Sequence, residues 1–173
     1  NGILLEIHWA IIDAIFPFRI EVEELWSRTQ TVTLAQAPAL ALAPKDLLLH
    51  LCLHTAKHAN EMRIRMVCDI GEVVRCHGME LDWQELGARA GQWDAIRAVY
   101  LILRLAQELL EIAVPADWLI SLRPDSFSEG YLDLAREQIL GRHSDMKTSQ
   151  LGSNYTLHGH KLRFLKELKA QGE

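Results

Sequence analysis

At 173 residues, with 49% hydrophobic and 24% charged side chains, the chain has the size and composition of one ordinary globular domain, large enough to bury roughly two-thirds of its unfolded surface. A formal net charge of -5 argues against a protein built to neutralise a nucleic-acid backbone, although the stretch 161–169 is locally basic. No apolar run approaches the roughly 20 residues of a membrane-spanning helix and no signal peptide is visible, while three cysteines without CxxC spacing read as buried thiols of a reducing compartment, the cytoplasm by default.

The chain opens without an initiator Met. Asn1-Gly2 leads straight into "ILLEIHWAI", and Asn-Gly is the strongest short-range signal for a two-residue hairpin turn. The sequence therefore reads as a piece of a longer protein, beginning at a turn whose first strand is absent. Within "LLEIHWA" the two-residue period places Glu6 and His8 on one face and Leu5, Ile7 and Trp9 on the other. After "FPF", the segment "RIEVEELWSRTQ" has helical spacing, with acidic residues early and Arg28 late. "TVTLA" and "ALALA", separated by "QAP", read as two short strands or an extended loop, and Pro38 argues against central strands.

From Pro44 onward the pattern is helical. "APKDLLLHLCLHTAKHA" has Pro at its start and the apolar content of a buried helix. "RIRMVCDIGEVVRCHG" follows, with Gly78 as a stop, and "LDWQELGARAG" opens on Asp82 as a candidate N-cap with Glu85 three residues later. "WDAIRAVYLILRLAQELLEIA" is the longest apolar helix and closes at Val114-Pro115. Shorter helices are expected around "PADWLISL" and "SEGYLDLAREQILGR". The pattern predicts a mainly α fold, a bundle of six or seven helices preceded by a short strand-containing segment. The expected divisions are a strand-containing part over 1–42, the bundle over 43–141, and a polar loop with a C-terminal amphipathic helix over 142–173.

His50, His54 and His58 recur every fourth residue. Each step rotates about 40° beyond a full turn, so the three drift over only about 80° and form one row. Such a row can ligate zinc, pack along an interhelical seam, or present donors to a polar cleft. A metalloprotease-type zinc site would want Glu after the first His, where Leu51 stands. The next helix offers Arg65 and Asp69 at (i, i+4) spacing, which a helical hairpin would bring near His54 or His58. Glu6 and His8 form a second candidate pair, because hard Mg²⁺ takes one or two carboxylates plus substrate phosphates; on spacing alone a solvated strand edge explains them better. No GxxxxGKS, GxGxxG or GxSxG motif is present, and the five tryptophans occupy positions suited to core or boundary roles.

In order, "LLEIHWAI", "LW" at 25 and 26, "APKDLLLHLCLHTAKHANEMRIRMVCDIGEVV", "LDWQELGARA" and "LRLAQELLEIAVP" resemble the uncharacterised nucleotidyltransferase-like proteins of bacteria, distant relatives of the polymerase-β-type fold. The resemblance covers roughly residues 3 to 115. It implies that residues 1–42 are the remnant of a nucleotidyltransferase-like part, with Glu6 as a metal-side carboxylate for Mg²⁺ and His8 as its catalytic neighbour. It also implies that His50, His54, His58, Arg65 and Asp69 belong to the helical part that closes the cleft, binds and orients substrate, an NTP and an unknown acceptor, or holds the two parts together. The family's Asp-x-Asp pair and its Gly-containing helix start are absent from this sequence. The resemblance thus implies the helical, substrate-positioning portion of an enzyme, inactive by itself. The alternative is a non-catalytic helical binding or interaction module.

Overall fold

The computed structural model describes residues 10–12, 16, 18–58 and 62–140, and among them the chain forms seven α-helices and one two-stranded antiparallel hairpin. The order is α1 Val22–Ser27, β1 Gln30–Leu34, β2 Ala37–Ala41, α2 Pro44–Lys57, α3 Ile64–His77, α4 Trp83–Gln92, α5 Ile96–Leu110, α6 Ala116–Ser121 and α7 Gly130–Leu140. This is the mainly helical architecture that the periodicity predicts. The strand expected around Glu6 and His8, and the loop and helix expected over 142–173, lie outside the described residues.

The core forms where α2, α3 and α5 meet. Pro44 opens α2, where its fixed φ suits the first turn and its missing N–H costs no hydrogen bond. Leu48, Leu49, Cys52, Leu53 and Ala56 then turn one face of α2 fully inward. α5 is the most enclosed element, burying Val99, Leu101, Ile102, Leu103 and Leu105, and it ends where Glu111 takes a left-handed conformation at φ 52°. Asp82 caps α4 as expected, accepting the Glu85 N–H at 2.9 Å. The Glu85 carboxylate turns to Lys45 and Arg89.

One expectation about the elements needs correction. α1 begins at Val22, not at Arg19. The Arg19 N–H donates to the Trp93 carbonyl at 3.1 Å and its guanidinium pairs with Asp94 at 2.9 Å, so this stretch is tied to the α4–α5 turn before a helix can start. The two candidate strands do form a hairpin, with Val32 opposite Ala39 and Thr33 opposite Pro38. Both strands are edges, so the missing N–H of Pro38 interrupts no central ladder. Ala35 and Gln36 turn the chain with φ of 47° and 67°, as in a type I′ turn, although neither is the Asn or Gly that this conformation favours.

One charged cluster joins the entry to the bundle. Asp46, in the first turn of α2, has no solvent exposure. Its Oδ2 accepts from Arg28 Nε at 2.9 Å, and its Oδ1 accepts from Arg28 Nη2 at 3.2 Å and Arg89 Nη1 at 2.7 Å. Arg89 also donates to Glu85 at 2.5 Å, and Arg28 to Glu24 at 3.3 Å. The Asp46 carboxylate raises the Arg28 pKa further above its ordinary value, chiefly through the hydrogen bond. Removing one member of such a buried set leaves an uncompensated charge. Asp46→Ala, which takes from Arg28 and Arg89 their shared buried partner and leaves Arg89 only Glu85, is expected to cost about 3–5 kcal/mol of unfolding free energy in urea melts. A loss under about 1 kcal/mol, the range of exposed pairs, would show that the cluster does not hold the fold. Arg75→Ala, which breaks the solvent-exposed Glu72–Arg75 pair, leaves the midpoint unchanged.

Candidate functional site

The geometry of α2 determines what its histidines face. At 100° per residue, Asp46, His50, His54, Lys57 and His58 all fall within a stripe of about 120°, opposite the buried leucines. Arg28 follows α1 directly and binds the N-terminal end of this stripe through Asp46. α1 is thereby anchored at the head of the histidine row.

Between the two elements lies a cavity of about 450 Å³. His50, His54 and Lys57 line it from α2, and Val22, Leu25 and Trp26 from α1. Thr29 and Leu42, which flank the hairpin, and Ala10 and Ile11 complete the lining. The imidazoles form a continuous series, with ring centroids 5.8 Å apart between His50 and His54 and 4.7 Å between His54 and His58. His54 and Lys57 occupy the last turn of α2, where the helix dipole favours positive charge.

The cavity thus has one wall of nitrogen donors and one of apolar and aromatic surface. Lys57 and imidazole N–H groups suit phosphate or carboxylate oxygens. The Trp26 ring suits a flat apolar group. The described lining does not fit Mg²⁺, which takes oxygen ligands, because this wall offers imidazoles and an ammonium and no carboxylate. Among the described residues no three His, Cys, Asp or Glu side chains come together to hold a metal ion. Glu6 and His8, the expected metal-side pair, lie outside the described residues.

Arg65 and Asp69 are on the exposed face of α3, about 160° around the helix from Val67. They form no ion pair with each other, and neither lines the cavity. The apolar stripe of Val67, Ile70, Val73 and Val74 claims the inner side of α3, so residues opposite it face solvent.

Sequence reasoning missed Trp26, Thr29 and Lys57 as cleft residues. The signal for Lys57 was present: it follows His54 by three residues and falls on the same stripe. Trp26, expected at a core or boundary position, is 62% exposed, because Leu25 alone turns α1 into the core. The expectation of buried thiols also fails for two of the three cysteines. Cys52 is buried, whereas Cys68 and Cys76 are exposed on the outer face of α3.

The sequence profile of a family described as uncharacterised nucleotidyltransferase matches residues 1–111, a stretch that contains α1 through α5 and the whole histidine row. No curated protein and no solved structure matches the chain.

Burial pushes the Cys52 thiol well above its ordinary pKa, which together with its enclosure keeps it from reacting as a thiolate. In the native protein an aromatic disulfide reagent is expected to titrate Cys68 and Cys76 and to leave Cys52 silent until denaturant is added. Reaction of all three thiols at similar rates would contradict the packing of α2.

Proposed function

The chain belongs to the uncharacterised nucleotidyltransferase family, and we propose that its helical part forms the substrate-positioning wall for nucleotidyl transfer from an NTP to an acceptor hydroxyl. The observation that carries this reading is the cleft between α1 and α2, with His50, His54 and Lys57 facing Val22 and Trp26. In the reaction class, an acceptor oxygen attacks the α-phosphate in line and pyrophosphate leaves. Charge collects on phosphate oxygens during that step. Ammonium and imidazole N–H groups fixed along one helix suit those oxygens without reorganising. The Trp26 face offers a stacking platform for a base or a flat acceptor.

In this reading Glu6 is a metal-side carboxylate for Mg²⁺ in the intact parent protein, with His8 beside it as the second catalytic residue. His58, Arg65 and Asp69 belong to the substrate side at the far end of the row. Residues 1–42 are the nucleotidyltransferase-like part, 43–141 the bundle and 142–173 an appended loop and helix. The sequence contains no Asp-x-Asp pair, so this chain by itself supplies positioning and not turnover. The setting proposed is the cytoplasm of a bacterium. No helix among the described residues is long and apolar enough to cross a membrane.

The test uses labelled NTP with Mg²⁺. Glu6→Ala in the intact parent is expected to abolish nucleotide transfer with the thermal melt unchanged, and His54→Gln to raise KM several-fold with a smaller change in kcat. The chain alone is expected to give no incorporation. Unchanged transfer in Glu6→Ala would favour a non-catalytic helical binding module.

A further inference from the structure

A second cavity, of about 330 Å³, opens on another part of the bundle. Tyr100, Arg104 and Gln107 line it from α5, at the i, i+4, i+7 spacing that places them along one face. Leu119 and Ile120 of α6 form an apolar side, and Arg123 and Glu129 complete the lining. Most of this second side lies beyond residue 111, where the family match ends.

The polar groups of this cavity keep hydrogen-bonding capacity that the described residues do not use. Tyr100 is 5% exposed and packs edge-on against Phe127 at 4.7 Å, which fixes its ring. Its hydroxyl makes no hydrogen bond to another described residue and is not among the enclosed polar atoms, so it stays open to solvent and to a ligand. Arg104 is half-buried and makes no ion pair or hydrogen bond with a described residue. The neighbouring carboxylates are committed elsewhere: Glu108 pairs with Arg136 at 2.5 Å and Glu129 with Arg123 at 2.8 Å. The Arg123–Glu129 pair is itself solvent-exposed, with side chains 48% and 59% accessible, so it is weak and can be exchanged for a better anion.

We propose that the cavity between α5 and α6 binds a small organic oxyanion, a phosphate ester or carboxylate with an apolar body. Arg104 takes the anionic head in the forked geometry of a guanidinium. Tyr100 donates its hydroxyl to the same head, and Arg123 joins by releasing Glu129. The apolar body rests on Leu119 and Ile120. A volume of this size suits a ligand at the small end of ordinary pockets.

The experiment is calorimetric titration of the full chain with phenyl phosphate, benzoate and inorganic phosphate. Phenyl phosphate or benzoate is expected to bind more tightly than inorganic phosphate, and the stronger of the two identifies the head group. Arg104→Gln is expected to weaken that binding about tenfold or more. Glu129→Gln, which removes the competing carboxylate at the surface, is expected to tighten it several-fold. If Arg104→Gln loses its helical circular dichroism, Arg123→Gln carries the same test. Equal affinity in wild type and the arginine variant that folds overturns the proposal. So does binding that survives in that variant and disappears in His54→Gln, which would assign the anion to the cleft between α1 and α2.

Discussion

The Asp46 carboxylate, closed off from water and held by three hydrogen bonds from two guanidiniums, is the constraint on which the arrangement of this protein depends. A buried carboxylate costs several kcal/mol of lost hydration, offset only when its geometry and partners are good. Here the partners come from the end of α1 and from α4, and Lys45 and Glu85 extend the set. The carboxylate therefore joins three separate elements at the first turn of α2. Leu25, Leu49 and Leu86 of the same elements share one apolar core, and the charge pairing adds a directional constraint to that packing.

That position creates the cleft. Asp46 belongs to the same stripe of α2 as His50, His54 and Lys57, so the element it captures lies at the head of the histidine row. α1 has only six residues, too short to be a stable helix alone. It is held by Leu25 in the core and by Arg28 on Asp46. Its remaining apolar side chains, Val22 and Trp26, are left to face the imidazoles. The cleft is thus the space between a helix fixed by packing and a helix fixed by ion pairs.

The bundle separates two kinds of surface. α2 gives its apolar side to the core and its polar stripe to the cleft, and α5 gives most of its surface to the core but turns Tyr100, Arg104 and Gln107 toward a different opening. The core elements are the long helices with strong apolar faces. Both openings are closed on their far side by short helices of six residues, α1 and α6, whose placement depends on a few contacts each.

Much of this was legible in the residues. Pro44 and Asp82 announced where α2 and α4 begin, four-residue spacing placed the imidazoles in one row, and the apolar run from Ile96 marked the central helix, because capping and periodicity act within a few residues of chain. The family resemblance was carried by the same helices. The Asp46 cluster was not legible, since its arginines lie 18 residues before and 43 residues after it, although the row of fourth residues does run back from His50 to Asp46. The exposure of Trp26, Cys68 and Cys76, and that of Arg65 and Asp69 on the outer face of α3, were also beyond local pattern. A helical period fixes which residues share a side, but which side faces the core is decided by the competition among all helices for burial. The sequence determined the helices and the histidine row; only the tertiary structure decided what stands opposite that row, because long-range ion pairs and packing set the distance between elements.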